Sequence, residues 1–171
     1  MMRLWRHLLS VLILPFVVVV VVPVWISRSW AGLDTRWGET YLALVAHVLG
    51  AVIFLAGLGV FVWCVVLFAR VGQGTLAPWD PTRRLVDVGP YRHARNPMIS
   101  AVATMLAGTA VHLGSVVLAA WSALFIVVNH VYFVFLEEPG LERRFGAGYA
   151  GYKARVPRWL PRRRRRRTPD R

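Results

Sequence analysis

Long apolar runs separated by short, polar, arginine-bearing connections set the pattern of this chain. Leu8 to Ile26 is almost entirely Val, Leu and Ile, interrupted by Pro15 and Pro23. Tyr41 to Phe68 is longer, Pro97 to Leu113 is short, and Ser115 to Leu136 follows it after the single Gly114. A hydrocarbon core about 30 Å thick is crossed by roughly 20 helical residues. The third run is marginal by that measure and reads as one arm of a tight helical hairpin turning at His112 to Ser115. The pattern predicts an all-α, polytopic integral membrane protein with four transmembrane helices, a short helical hairpin and a cytoplasmic C-terminal helix. The connection from Gly72 to Asn96 contains Asp80-Pro81 and Gly89-Pro90, which predicts an ordered irregular segment without a long helix. Asn96 is placed as the N-cap of the third span and Pro97 in its first turn, where the missing N–H costs nothing.

Composition agrees. Hydrophobic residues make up 57% of the 171 and the mean hydropathy is +0.51, values that fit a membrane protein better than a soluble one. The length allows one membrane-embedded domain, residues 1–161, followed by a basic tail at 162–171. The net charge of +13 comes from 21 Lys+Arg against 8 Asp+Glu. Such a charge invites a nucleic-acid partner, but its placement argues against one: Arg162 to Arg167 form a single terminal run, and the other basic residues flank apolar spans. The tail reads as an arm for anionic lipid headgroups, worth about 1 kcal/mol per basic residue near the surface. Lone Cys64 permits no intramolecular disulfide.

Charge also orients the chain. Arg3 and Arg6 precede the first span, Arg70, Arg83, Arg84, Arg92 and Arg95 lie in the second connection, and the chain from Arg143 onward is basic, while the hairpin turn carries neither Lys nor Arg. The positive-inside tendency puts both termini and the second connection in the cytoplasm, at an inner or plasma membrane. Ser29-Trp30-Ala31 loosely resembles a signal cleavage site, but the apolar core before it exceeds the roughly 7–15 residues usual for a signal. A retained first span is expected.

The polar residues cluster beside these spans. Glu137 and Glu138 end the fourth span just before Pro139-Gly140, where carboxylates face the negative end of the helix dipole. Either they bind a cation such as an ammonium group, or Pro139 starts a new helix and both acids pair with loop arginines. His130, Val134 and Glu137 fall at i, i+4 and i+7 on one helix face, with Asn129 and Tyr132 nearby, which puts His130 among the candidate ligand contacts. Hydrogen bonding that merely joins the helices is the plain alternative. His47 and His112 lack partners at useful spacing and read as structural, and without paired Cys or His ligands no metal is expected. Phe145, Tyr149 and Tyr152 give one aromatic face on a helix ending near Val156-Pro157, which alone describes an interfacial helix. Arg92 and Arg95 could grip a carboxylate or phosphate bidentately, or touch headgroups.

Three segments in order, GQGTLAPWDPTRRLV at Gly72 to Val86, GPYRHARNPM at Gly89 to Met98 and EEPGLERRFGAGYAGYKARVPRWLP at Glu137 to Pro161, carry a resemblance. Together they resemble the isoprenylcysteine carboxyl methyltransferase family, including its bacterial members, and more distantly the phosphatidylethanolamine N-methyltransferases. The resemblance covers the C-terminal part of the chain; the first span matches only in being hydrophobic. It implies methyl transfer from S-adenosylmethionine to a lipophilic acceptor at the cytoplasmic membrane interface, with no Rossmann domain. In the phospholipid methyltransferases a Gly-x-Gly element and a Glu-Glu pair serve the cofactor, and the matching positions are Gly72, Gly74, Glu137 and Glu138. Tyr91, His93, Arg95, Asn96 and Pro97 match the loop lining the cofactor pocket. Tyr149, Tyr152 and Val156-Pro157-Arg158 match the lid over it. The sulfonium is already activated, so alignment and water exclusion are the main demands. A carboxylate is the first choice of acceptor, held by Arg92 or Arg95, with an amine or phenol as alternatives. The chain departs from the family where Asn96 replaces a frequent His and Ile99 an aromatic, which bears on acceptor identity. Two other readings stand beside it: a membrane sterol or enone reductase using NADPH, and a non-catalytic membrane scaffold.

Overall fold

The computed structural model describes residues 14–34, 36–38, 41–72 and 85–159. They form helices and turns, with no strand among the described residues. Five continuous helices follow one another: α1 Leu14–Ser29, α2 Tyr41–Val71, α3 Pro97–Leu113 and α4 Val116–Phe145, then α5 Ala147–Arg155. By length and apolarity α2 and α4 are each able to cross a membrane, while α1 and α3 are shorter apolar helices. The expected first span lies partly outside the described residues, as do Gly74 and the arginine tail.

Two helices absorb an internal proline in the same way. A helical proline lacks its N–H and its ring collides with the carbonyl four residues earlier. In α1 a π turn at Val17–Val21 precedes Pro23, and in α4 a π turn at Phe133–Glu137 precedes Pro139 at the same offset. The wider turn makes room for the ring without ending the helix. Pro139 therefore does not start a new helix, contrary to one sequence expectation; α4 runs straight through it.

The hairpin between α3 and α4 turns where expected. Gly114 adopts φ 66° and ψ 33° and closes α3, and the Ser115 hydroxyl accepts the Leu118 N–H at 3.0 Å as the N-cap of α4. That left-handed conformation is the usual glycine cap. At the other end of α3, Pro97 occupies the first turn, but the Asn96 side chain makes no capping bond. Its backbone N–H instead donates to Arg158 O at 3.3 Å, so position 96 is held by the C-terminal segment.

Among the described helices α2 and α3 pair most tightly. A Cβ added at Gly57 would lie 2.8 Å from Ala101 O, and one at Gly108 would lie 2.6 Å from Phe54 N. The two backbones touch, as small residues permit where no water is available to drive association. Phe61, Cys64, Met98, Ala101, Met105 and Leu106 form the core of this contact. Along α2 and α4 the outward rows, including Leu42, Val45, Val52, Leu124, Val127 and Val131, are exposed. A contiguous apolar surface of this extent is a lipid-facing one.

At the Val111 end of the hairpin, His47 and His112 form a reciprocal pair. Each Nδ1 sits on the other residue's backbone oxygen, at 2.5 and 2.9 Å, with ring centroids 5.0 Å apart. Carbonyl oxygens only accept, so both Nδ1 atoms donate. Trp37 Nε1 donates to Val111 O beside them at 2.7 Å. The two histidines thus have partners after all, 65 positions apart in sequence, a separation no local spacing rule reveals.

Candidate functional site

At the opposite end, the segment before α3 meets the end of α4 and the chain beyond α5. Gly89, at φ 58° with Leu67 and Trp63 against it, turns the backbone tightly past α2 into a 3₁₀ turn, Gly89–Arg92. Arg95 N–H donates to Pro157 O at 2.9 Å, and the Tyr152 hydroxyl donates to Tyr91 O at 2.7 Å. These bonds fix the loop against the C-terminal segment. Gly146, with φ 52°, separates α5 from α4. The turn lets Tyr149, Tyr152 and Val156 pack inward with Leu85, Leu141 and Phe145. The aromatic face is therefore buried within the protein and is not an interfacial face.

Glu138 is the centre of this junction and is 3% exposed. Its Oε1 accepts from Arg95 Nη1 at 2.6 Å and from Arg158 Nε at 2.8 Å. Its Oε2 accepts from Arg158 Nη2 at 3.2 Å and lies 3.3 Å from Lys153 Nζ. Lys153 also pairs with Glu142 at 2.7 Å. Three basic side chains from three segments thus converge on one carboxylate. Charge-assisted bonds of this kind offset the desolvation of a buried acid only when its lone pairs are well filled. The hydrogen bond to Glu138 makes the Arg158 guanidinium still harder to deprotonate.

Glu137 differs completely. It is exposed and pairs with no cation among the described residues. The π turn explains the division: the buried positions on this stretch are Phe133 and Glu138, five apart. A regular 3.6-residue period would put Glu137, four residues after Phe133, on the buried side, but the extra residue in the turn gives that place to Glu138. His130 is exposed as well, and its Nδ1 accepts the Trp159 indole N–H at 2.9 Å. It therefore holds the C-terminal segment in place.

Among the described residues two buried polar atoms beside Glu138, Arg95 Nε and the Tyr149 hydroxyl, lack a well-formed hydrogen bond, although the Arg95 side chain lies close to the Tyr149 oxygen. Burial raises the Tyr149 hydroxyl above its usual range, with nearby Arg95 partly offsetting this. Burial also raises Tyr152 and Tyr91, so these phenols stay neutral near pH 7. Buried donors left over in this way are uncommon and call for a ligand or water.

On the other side of the loop lies a cleft of about 320 Å3 between α2 and α3. Ala56, Gly57 and Val60 line it from α2, Ser100, Ala101 and Thr104 from α3, and Pro90, His93, Ala94, Pro97 and Trp159 form its mouth. The loop thus separates two compartments: Tyr91, Arg95 and Asn96 face the Glu138 cluster, and His93, Ala94 and Pro97 face the cleft.

Of the residues singled out by sequence, the structure brings Tyr91, Arg95, Asn96, Glu138, Tyr149 and Tyr152 together. Arg92 is exposed, and Gly72 ends the π turn Phe68–Gly72 of α2. The Arg95 Nη1 is committed to Glu138 and is not free to grip a second carboxylate. Sequence reasoning missed Lys153 and Trp159, since neither has a partner within helical spacing. A family model described as phospholipid methyltransferase matches residues 42–148. No curated protein and no solved structure matches the chain.

Proposed function

The chain belongs to the phospholipid methyltransferase family, and from that premise we propose that it transfers a methyl group from S-adenosylmethionine to a lipophilic acceptor at the membrane interface. On this reading α1 to α4 lie in the bilayer, the Glu138 junction faces the cytoplasm, and both termini are on that side. The observation that carries the reading is the leftover polarity at the junction among the described residues: Glu137 without a cation, and Arg95 Nε and Tyr149 OH buried without a well-formed hydrogen bond. That set fits the amino-acid end of the cofactor, which brings an ammonium to a carboxylate and a carboxylate to donors.

When bound, the cofactor supplies a sulfonium-activated methyl group. The chain's own residues bind, orient and exclude water. Glu138 is already paired with three basic groups, so Glu137 is the acid left for an ammonium to pair with. Arg95, anchored through Nη1, keeps its Nε–H directed to the junction beside the neutral Tyr149 hydroxyl. The Tyr152–Tyr91 bond keeps the loop seated, so the C-terminal segment closes the junction against solvent.

The test is ligand stabilisation of detergent-purified protein. S-adenosylhomocysteine at 100 times its dissociation constant should stabilise it by about 2.7 kcal/mol, seen as a raised Tm. NADPH should leave the Tm unchanged. Stabilisation by NADPH and not by S-adenosylhomocysteine would replace methyl transfer with the reductase reading.

A further inference from the structure

We propose that the groove between α1 and the α2–α3 pair is a binding site for an anionic phospholipid, with an acyl chain along Val20 and Val24 and the phosphate on Arg28. The site lies at the Val111 end of the bundle, away from the Glu138 junction, and it stands independently of the methyl-transfer reading. It begins from how α1 packs. Val19 is buried in the α2–α3 core, and Ile26 is buried against Ala110 of α3 and Leu118 of α4. The next face of the same helix is left open, with Val20 39% and Val24 46% exposed. These two residues line a groove of about 360 Å3 to which α2 contributes Phe54 and α3 contributes Thr109 and Leu113. Val20 and Arg28 are about 12 Å apart along a helix, close to the roughly 15 Å of hydrocarbon in one leaflet.

The lining changes character along that length. Its deeper part is Val, Pro and Phe, and the Thr109 hydroxyl donates to Met105 O at 3.0 Å within its own helix. Ser27 and Arg28 then end the groove. The Arg28 side chain is exposed and forms no ion pair with an acid among the described residues. Arg36 Nη2 donates to Ser27 O at 3.1 Å, which brings a second guanidinium to the same mouth.

Trp30 and Trp37 are exposed at this end as well, the Trp37 ring lying against Gly114. Exposed tryptophans at the end of an apolar bundle mark the headgroup level. Arg28 therefore sits where a phosphate is found and the apolar trough runs inward from it, the same order as in a phospholipid. A guanidinium matches phosphate oxygens with paired N–H donors. A choline-type head would add a cation beside two arginines, so a head of net negative charge complements the mouth better. Seated there, the lipid bridges α1 and α2 through Val24 and Phe54.

The experiment embeds the full chain in phosphatidylcholine nanodiscs with a trace of phosphatidylglycerol carrying a photoreactive acyl chain, and maps the crosslinks by mass spectrometry. Labelling should gather on 20–24 of α1 and 109–113 of α3, and a phosphatidylcholine probe with the same tail should label these positions less. Unlabelled phosphatidylglycerol should displace the probe, whereas inorganic phosphate should not. Arg28→Gln should cut the labelling about 10-fold, the low end of what a hydrogen bond to a charged group is worth. Val24→Trp fills the groove and keeps both arginines, so it should abolish the labelling. Thr109→Phe fills it from α3 and serves should the first variant lack a cooperative unfolding transition. Equal labelling by the two probes, or an Arg28→Gln result equal to wild type, would overturn the site and leave an ordinary lipid boundary. Labelling unmoved by filling the groove would overturn it in favour of attraction to the surface charges alone. Crosslinks from these positions to a second copy of the chain, in place of lipid, would overturn it in favour of a subunit interface.

Discussion

The two ends of the α2–α3 pair are joined by opposite means. At the Val111 end the work is done by ring N–H donors on backbone carbonyls, His47 and His112 on each other and Trp37 on Val111. At the Glu138 end it is done by formal charges, with Arg95, Arg158 and Lys153 on one acid. The histidine pair is reciprocal, each ring's donor satisfied by the other residue. The charged junction is not: among the described residues it leaves Glu137 without a cation and Arg95 Nε and Tyr149 OH without a well-formed hydrogen bond. A self-satisfied contact holds helices together and offers nothing further. An unbalanced one, held rigid by its balanced half, is what a binding site needs.

That contrast can be broken most severely at Glu138. Glu138→Ala leaves Arg95 buried without its acid, and a buried pair broken on one side costs about 3–5 kcal/mol. Thermal unfolding in detergent should show the loss, and a Tm within a degree of wild type would mean the junction is not the clamp described here. The neighbouring acid should behave in the opposite way. Glu137→Gln should leave stability within about 0.5 kcal/mol, as exposed positions usually do. It should nevertheless weaken S-adenosylhomocysteine binding by about 10- to 100-fold, the worth of one charge-assisted hydrogen bond at about 1.5–3 kcal/mol. Calorimetric titration of the variant checks this, and unchanged affinity would remove Glu137 from the site. The smallest effect is expected at the far end. His112→Ala should cost about 1 kcal/mol, that of an ordinary hydrogen bond, and leave ligand affinity unaltered.

Much of this was legible in the chain. The apolar runs gave helices where expected, and the Gly114-Ser115 turn and Pro97 at the head of α3 follow from local chemistry that carries across contexts. The clustering of Tyr91, Arg95 and Glu138 was expected through resemblance, which carries long-range information that spacing does not. What stayed hidden depends on tertiary contact. Asn96 looks like a cap, yet the C-terminal segment supplies its bond. His47 and His112 find each other only because small residues bring α2 and α3 into backbone contact. The different fates of Glu137 and Glu138 were invisible because a helical wheel assumes an unbroken period, and Pro139 breaks it.

The wide turn before Pro139 works as an indexing notch. With about 3.6 residues per turn, one residue more or fewer rotates everything downstream by about 100°. Replacing Pro139 by Ala removes the reason for the notch, and a relaxed helix would dial Glu138 away from its arginines and bring Glu137 toward them. Two chemically identical acids would then exchange duties through a change at a residue that touches neither ligand nor cation.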